Sequence, residues 1–252
     1  MSTNFVAFDL EVADELPDTE DWHRLLPLPI SCVGIANRQT DTIVALHGQE
    51  ADDGRLAHQL TPEQARSIVI YLENLARDGA TLVSWNGLGF DLIVLAEACE
   101  GAYWTDRCRA LALDHCDMAF QMLCERGFMI SLQTAAEACG LPGKLEGVSG
   151  KDAPRLWAGS RAEQERVLDY VAQDARTTGG IYEHLLEEGH LVWTSKQGRK
   201  NVWLPVWGER LDRMLTVREA LALPEPEVSW MEPWPRERFS GWLQRGDLHA
   251  AA

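Results

Sequence analysis

The chain has 252 residues, 46% of them hydrophobic, and a formal net charge of −16. That length supports one large core with a smaller annex, and no apolar run approaches the roughly 18 residues that span a membrane. Six cysteines with no C-x-x-C pair and no neighbouring histidine pair suggest neither a zinc site nor a disulfide framework, so they read as free thiols in a reducing cytoplasm.

The first predicted strand, residues 5–12, begins too early to leave room for a signal peptide, and it carries Asp9 and Glu11. Residues i and i+2 of a strand share a face, so two carboxylates sit side by side among apolar neighbours. Their burial is costly unless a cation balances them, and hard oxygen ligands suit Mg²⁺ or Mn²⁺ better than zinc. Asp18 and Glu20 repeat the spacing in an acidic, polar stretch that reads as a solvated loop. Residues 30–36 and 41–47 are predicted strands separated by a polar turn, and they suit antiparallel neighbours of the first strand.

Thr61-Pro62-Glu63-Gln64 opens a helix with a capping box and a proline at its first position. A buried strand follows at residues 80–85, then the turn Asn86-Gly87-Leu88-Gly89-Phe90-Asp91. Two readings fit Asp91: an N-cap for the apolar helix after it, or an acid added to the first pair. Asp117 reads as an N-cap, and Ser131 caps another helix that runs to about residue 138. The loop from Gly140 through Lys144, Gly147 and Gly150-Lys151 is either a surface connection or a contact to a substrate backbone. A long helix is predicted from about Arg161 to Glu188, with Tyr170, Asp174, Thr177, Ile181 and Leu185 on one face. Asp174 therefore lies on or beside a buried surface, as an incidental acid next to a core tyrosine or as a further ligand.

In chain order these motifs are Asp-x-Glu on a first strand, Asn-Gly-x-x-Phe-Asp after a later strand, and Tyr-x-x-x-Asp on a late helix. That order resembles the DEDD superfamily of 3′–5′ exonucleases, which have a ribonuclease H-like fold, and within it the group related to the proofreading domain of family B DNA polymerases. The resemblance spans about residues 4–188. A tyrosine lies four residues before Asp174 and Asp169, not histidine, lies five before it, as in the tyrosine subtype, DEDDy.

The resemblance implies an α/β fold, a mixed sheet flanked by helices, forming an exonuclease domain over residues 1–190. It implies two ions, Mg²⁺ or Mn²⁺, with Asp9 bridging both, Glu11 and Asp174 completing one site, and Asp91 serving the other directly or through water. Tyr170, whose ordinary pKa is near 10, would orient the attacking water, while Asn86, Phe90 and Leu10 would shape the substrate site. The implied reaction is hydrolysis of phosphodiester bonds from the 3′ end of single-stranded or frayed nucleic acid, DNA favoured, releasing nucleoside 5′-monophosphates. An RNA or short-oligonucleotide exonuclease with the same centre, and a non-catalytic binding or scaffold module on the same fold, are the alternatives.

Charge limits how such an enzyme holds its substrate. Residues 191–252 hold nine Lys/Arg against eight Asp/Glu, leaving about −17 on residues 1–190. Binding many phosphates needs a basic surface, so the expectation is a short contact at a 3′ end, with a partner protein wherever processivity is required. Six of the ten tryptophans lie in this C-terminal extension, with Lys196, Arg199 and Lys200 close together in it. Interleaved aromatic and basic residues can form one wall of a substrate cleft. The same tryptophans can equally serve to pack the extension onto the core.

Overall fold

Phe5–Val12 (β1) is buried on both faces, and its alternation sorts its side chains into separate clusters. Val6, Phe8, Leu10 and Val12 enter the larger one, while Phe5 and Ala7 face the other way. The computed structural model describes residues 4–17, 22–142, 148–208, 213–228 and 231–244. Asp18, Glu20, the Lys144 and Gly147 part of the Gly140–Lys151 loop, and Trp230 lie outside the described residues.

β1 is central in a five-stranded sheet of order β3-β2-β1-β4-β5. Ile30–Asn37 (β2) pairs with it antiparallel, and Thr42–His47 (β3) pairs antiparallel with β2. On the other side Thr81–Ser84 (β4) runs parallel to β1, and the two-residue Cys116–Asp117 (β5) runs parallel to β4. The sequence pattern does not reveal β5, because two residues carry no period.

One face of the sheet is covered by Pro62–Arg77 (α1), Asp91–Ala98 (α2) and Ala102–Asp114 (α3). Thr61 closes the expected capping box with Gln64. Met118–Arg126 (α4), Leu132–Ala138 (α5) and the short Ala153–Trp157 (α6) lead to Arg161–Glu188 (α7), which has its own capping box on Ser160. α7 lies across the opposite face, over β1 and β2.

Its approach is closest at Gly34 of β2, where an added β-carbon would stand 2.3 Å from the carbonyl oxygen of Val171. Further along, a β-carbon on Gly179 would meet Phe5 at 3.2 Å and Ala7 at 3.5 Å. Glycine is a poor helix residue, and here it lets the helix seat on the strand.

Beyond α7 the chain forms a hairpin, Leu191–Thr194 (β6) with Lys200–Trp203 (β7), then Val217–Leu221 (α8) and Glu237–Ser240 (α9). Trp193, Trp203 and Trp242 are buried, whereas Trp234 is exposed. All six cysteines are free thiols, and among the described residues no helix is long and apolar enough to cross a membrane.

Gly34→Ala tests the close approach. The added methyl cannot fit without moving backbone, so unfolding in urea, followed by circular dichroism, should show a loss of about 1–3 kcal/mol.

Candidate metal site

Asp9, Glu11 and Asp174 each offer a carboxylate oxygen, and these atoms all lie within 4.8 Å of one another. Two elements bring them together. Phe5, Ala7, Asp9 and Glu11 share the face of β1 that α7 covers, and Asp9 is paired with Gly34, the residue on which α7 rests. Tyr170 and Asp174 are separated by one helical turn and straddle Val171 at that crossing. The pairing register shifts between Glu11 and Val12, and at that irregularity Ser31 donates its hydroxyl hydrogen to the Glu11 carbonyl at 2.9 Å. Such bulges re-aim side chains at strand ends.

Glu11 and Asp174 are buried and Asp9 is partly exposed. The trio is a set of hard oxygen donors, which fits Mg²⁺ or Mn²⁺. Its field reaches neighbouring groups. Cys32 faces Glu11 across the strand pair, and burial together with the Glu11 charge pushes its thiol pKa up. Burial likewise raises the pKa of Tyr170, as do the charges of Asp174 and Glu11 and a hydrogen bond with Asp174. At neutral pH Tyr170 is therefore a protonated phenol. Residue 150 lies beside it, since a β-carbon on Gly150 would stand 3.9 Å from the Tyr170 hydroxyl.

Asp91 is placed differently. It is the first residue of α2, where Phe90 is the capping residue and makes no side-chain cap bond. The N-cap reading of Asp91 is thus corrected. Instead its Oδ1 accepts the main-chain N–H of Leu10 at 2.8 Å. β4 pairs with β1 only as far as Ala7 opposite Val83, and Asp91 supplies the acceptor that β1 needs beyond that point. Asp91 does not join the group of three acids. Burial raises its pKa to about 7, against the lowering effect of the Leu10 hydrogen bond, and the Asp117 charge adds to the rise.

The turn before Asp91 is held by its own main chain. Asp117 Oδ1 accepts the N–H of Asn86, Ser84 Oγ that of Gly87, and Asp117 Oδ2 that of Leu88. Asp117 also caps α4 through the Phe120 N–H, as expected, so one carboxylate serves the helix and the turn together. Ser84 in turn bonds His115 Nε2 at 2.9 Å, while His115 Nδ1 bonds the Ala112 carbonyl. Asn86 adopts a left-handed backbone, φ 70°, which asparagine tolerates.

The remaining expected site residues divide. Phe90 is half-buried and edge-packed on Trp22 at 5.1 Å between ring centroids. The Leu10 side chain is buried in the cluster on the opposite face of the sheet from Asp9, so only its main chain takes part. Lys196, Arg199 and Lys200 are on or beside the β6–β7 turn, and among the described residues no ion pair ties them to the acids. Sequence reasoning missed Gly34 and Ser84, because neither a strand glycine nor a strand serine signals a close approach or a bond to a distant turn.

A family model described as RNase_H superfamily, RNase_H_2, matches residues 33–186. No curated protein matches. Among 77 solved chains that match is the family B DNA polymerase from the hyperthermophilic archaeon Pyrobaculum calidifontis, with 20% identity and a TM-score of 0.49. The match covers 73% of this chain and 24% of the polymerase, so the chain spans about a quarter of that protein's length.

Metal-free protein should reveal the Asp91 proton. A carboxyl of pKa about 7 in the folded state, against ~3.9 when unfolded, makes the folded protein the better proton binder across that window. Stability should therefore fall as pH rises from about 4 to 7. Asp91→Asn keeps an oxygen for Leu10 and removes the charge. In EDTA at pH 8 it should unfold at higher urea than the parent, by at least about 1 kcal/mol, with the gain vanishing below pH 4.

Proposed function

The chain belongs to the RNase_H superfamily and has its ribonuclease H-like fold, and we propose that it is a metal-dependent 3′–5′ exonuclease of the tyrosine-subtype DEDD kind, DEDDy, acting on single-stranded or frayed 3′ ends, DNA favoured. The observation that carries the reading is the convergence of Asp9, Glu11 and Asp174 beside a buried Tyr170. A module that only bound or scaffolded would have no use for three carboxylates crowded at a largely buried crossing.

Asp9, Glu11 and Asp174 would hold one divalent ion, with Asp9 shared and Asp91 serving a second. When bound, two Mg²⁺ or Mn²⁺ ions supply Lewis-acid charge that polarises the phosphodiester and lowers the pKa of water. The chain's own residues do the rest. Tyr170 keeps its proton at neutral pH and so acts as a hydrogen-bonding phenol that orients the attacking water rather than as a base. Asp174, bonded to that phenol, fixes where its oxygen lies. Asn86 and Phe90, on the turn that delivers Asp91, would border the 3′-terminal nucleotide, Phe90 through a partly exposed side chain.

The charge of −17 over residues 1–190 favours few phosphate contacts, and hence short strands or recruitment by a protein partner. Oligoribonucleotides are accordingly the second substrate to test. A 5′-labelled DNA strand and an RNA strand of equal length, incubated with Mg²⁺ or Mn²⁺, should yield a ladder shortening from the 3′ end; absence of cleavage on both would sink the reading.

Asp9→Ala and Asp174→Ala should each lower cleavage by at least about a thousandfold, because each removes charge from the metal cradle. Tyr170→Phe keeps the ring and should cost roughly 10²-fold, as for a positioned orienting group. A Phe variant as fast as the parent would make Tyr170 a packing residue.

A further inference from the structure

The turn that delivers Asp91 is gripped from its far side by the last described segment of the chain. Trp242 is buried and donates its indole N–H to the Leu88 carbonyl at 3.0 Å. Phe239 lies directly against the next residue, since a β-carbon on Gly89 would stand 2.7 Å from its ring and 2.6 Å from Asn86 Oδ1. The segment is itself anchored. The Arg236 guanidinium, 7% exposed, donates to the carbonyls of Cys124, Leu223 and Pro224. Trp234 N–H bonds the Gly127 carbonyl at 2.8 Å.

The turn is therefore held on two sides. Asp117 and Ser84 take its N–H groups from the sheet side, and Trp242 takes a carbonyl from the other. Asp91 begins α2 without any side-chain cap to fix the helix end independently. Its place relative to Asp9 is thus set by the turn, and by the Leu10 N–H it accepts.

We propose that residues 231–244 are a positioning element of the catalytic site: through the Trp242–Leu88 hydrogen bond and the Phe239–Gly89 contact, they hold the turn 86–91 where Asp91 can act with the other acids. The inference rests on the exonuclease reading and assigns the tryptophan-rich extension a role in the chemical step rather than in substrate affinity. A group misplaced by about 1 Å can cost 10²-fold in rate, whereas strand binding through Phe90 and phosphates would be little changed.

The test is Trp242→Phe, which keeps an aromatic ring and removes the N–H. Its kcat should fall at least about tenfold with KM within about twofold, the Mg²⁺ concentration giving half-maximal rate should rise, and hydrogen exchange at residues 88–91 should quicken. A kcat equal to the parent's, with only a lower melting temperature, would make Trp242 a packing residue and overturn the proposal. If Trp242→Phe does not fold, Phe239→Leu, which keeps apolar volume against Gly89, takes its place. A lower kcat with KM held then supports the positioning role, and an unchanged kcat overturns it. Should the parent cleave no strand, the exonuclease reading fails by itself, and exchange at residues 88–91 still decides: quickened in the variant, the turn is held by this segment; unchanged, it is not.

Discussion

Where α7 crosses β2, the Val171 carbonyl occupies the space that any side chain on residue 34 would need. That contact of main chain on main chain fixes the height and position at which the helix meets the sheet. Because Gly34 pairs with Asp9, the crossing falls on the row of β1 that carries the first acid. Tyr170 and Asp174 flank Val171, so the same crossing delivers the phenol and the third carboxylate. A bulkier residue at 34 would lift the helix and open the group of acids even if every ligand remained. The repulsion among those acids is the other half of the constraint. It opposes the crossing, packing favours it, and a divalent cation bound there would relieve it.

The fourth acid is secured by different means. Asp91 arrives on a turn whose N–H groups are taken up by Asp117 and Ser84, and its own carboxylate replaces the strand partner that β1 lacks beyond Ala7. The position of this acid is set by backbone hydrogen bonds, its own to Leu10 and those that Asp117 and Ser84 accept from the turn.

Much of this was legible in the sequence for physical reasons. An apolar run marked β1, and capping chemistry marked the start of α1 at Thr61. The i, i+4 spacing placed Tyr170 and Asp174 on one helix face. What was hidden depends on contacts between distant segments. β5 is too short to show a period, and Asp117 could be read as a cap but not as the residue that shapes the turn at 86–88. Leu10 was expected to shape the substrate site, yet alternation sends its side chain to the other face. The tryptophans of the extension showed burial potential without showing against what. Trp242 meets Leu88 across 154 residues, a pairing that no local pattern encodes.

That separation has a temporal side. Loop closure costs entropy that grows with the length enclosed, and contacts of high sequence separation form slowly. The acids on β1 and α7 can be brought together once α7 has packed on the sheet, while the turn still lacks its outer support. During synthesis from the N-terminal end, the segments that carry the three carboxylates are made before the segment that contacts the turn. A nascent or unfinished chain would therefore hold the three acids without the Trp242 contact that supports the turn before Asp91.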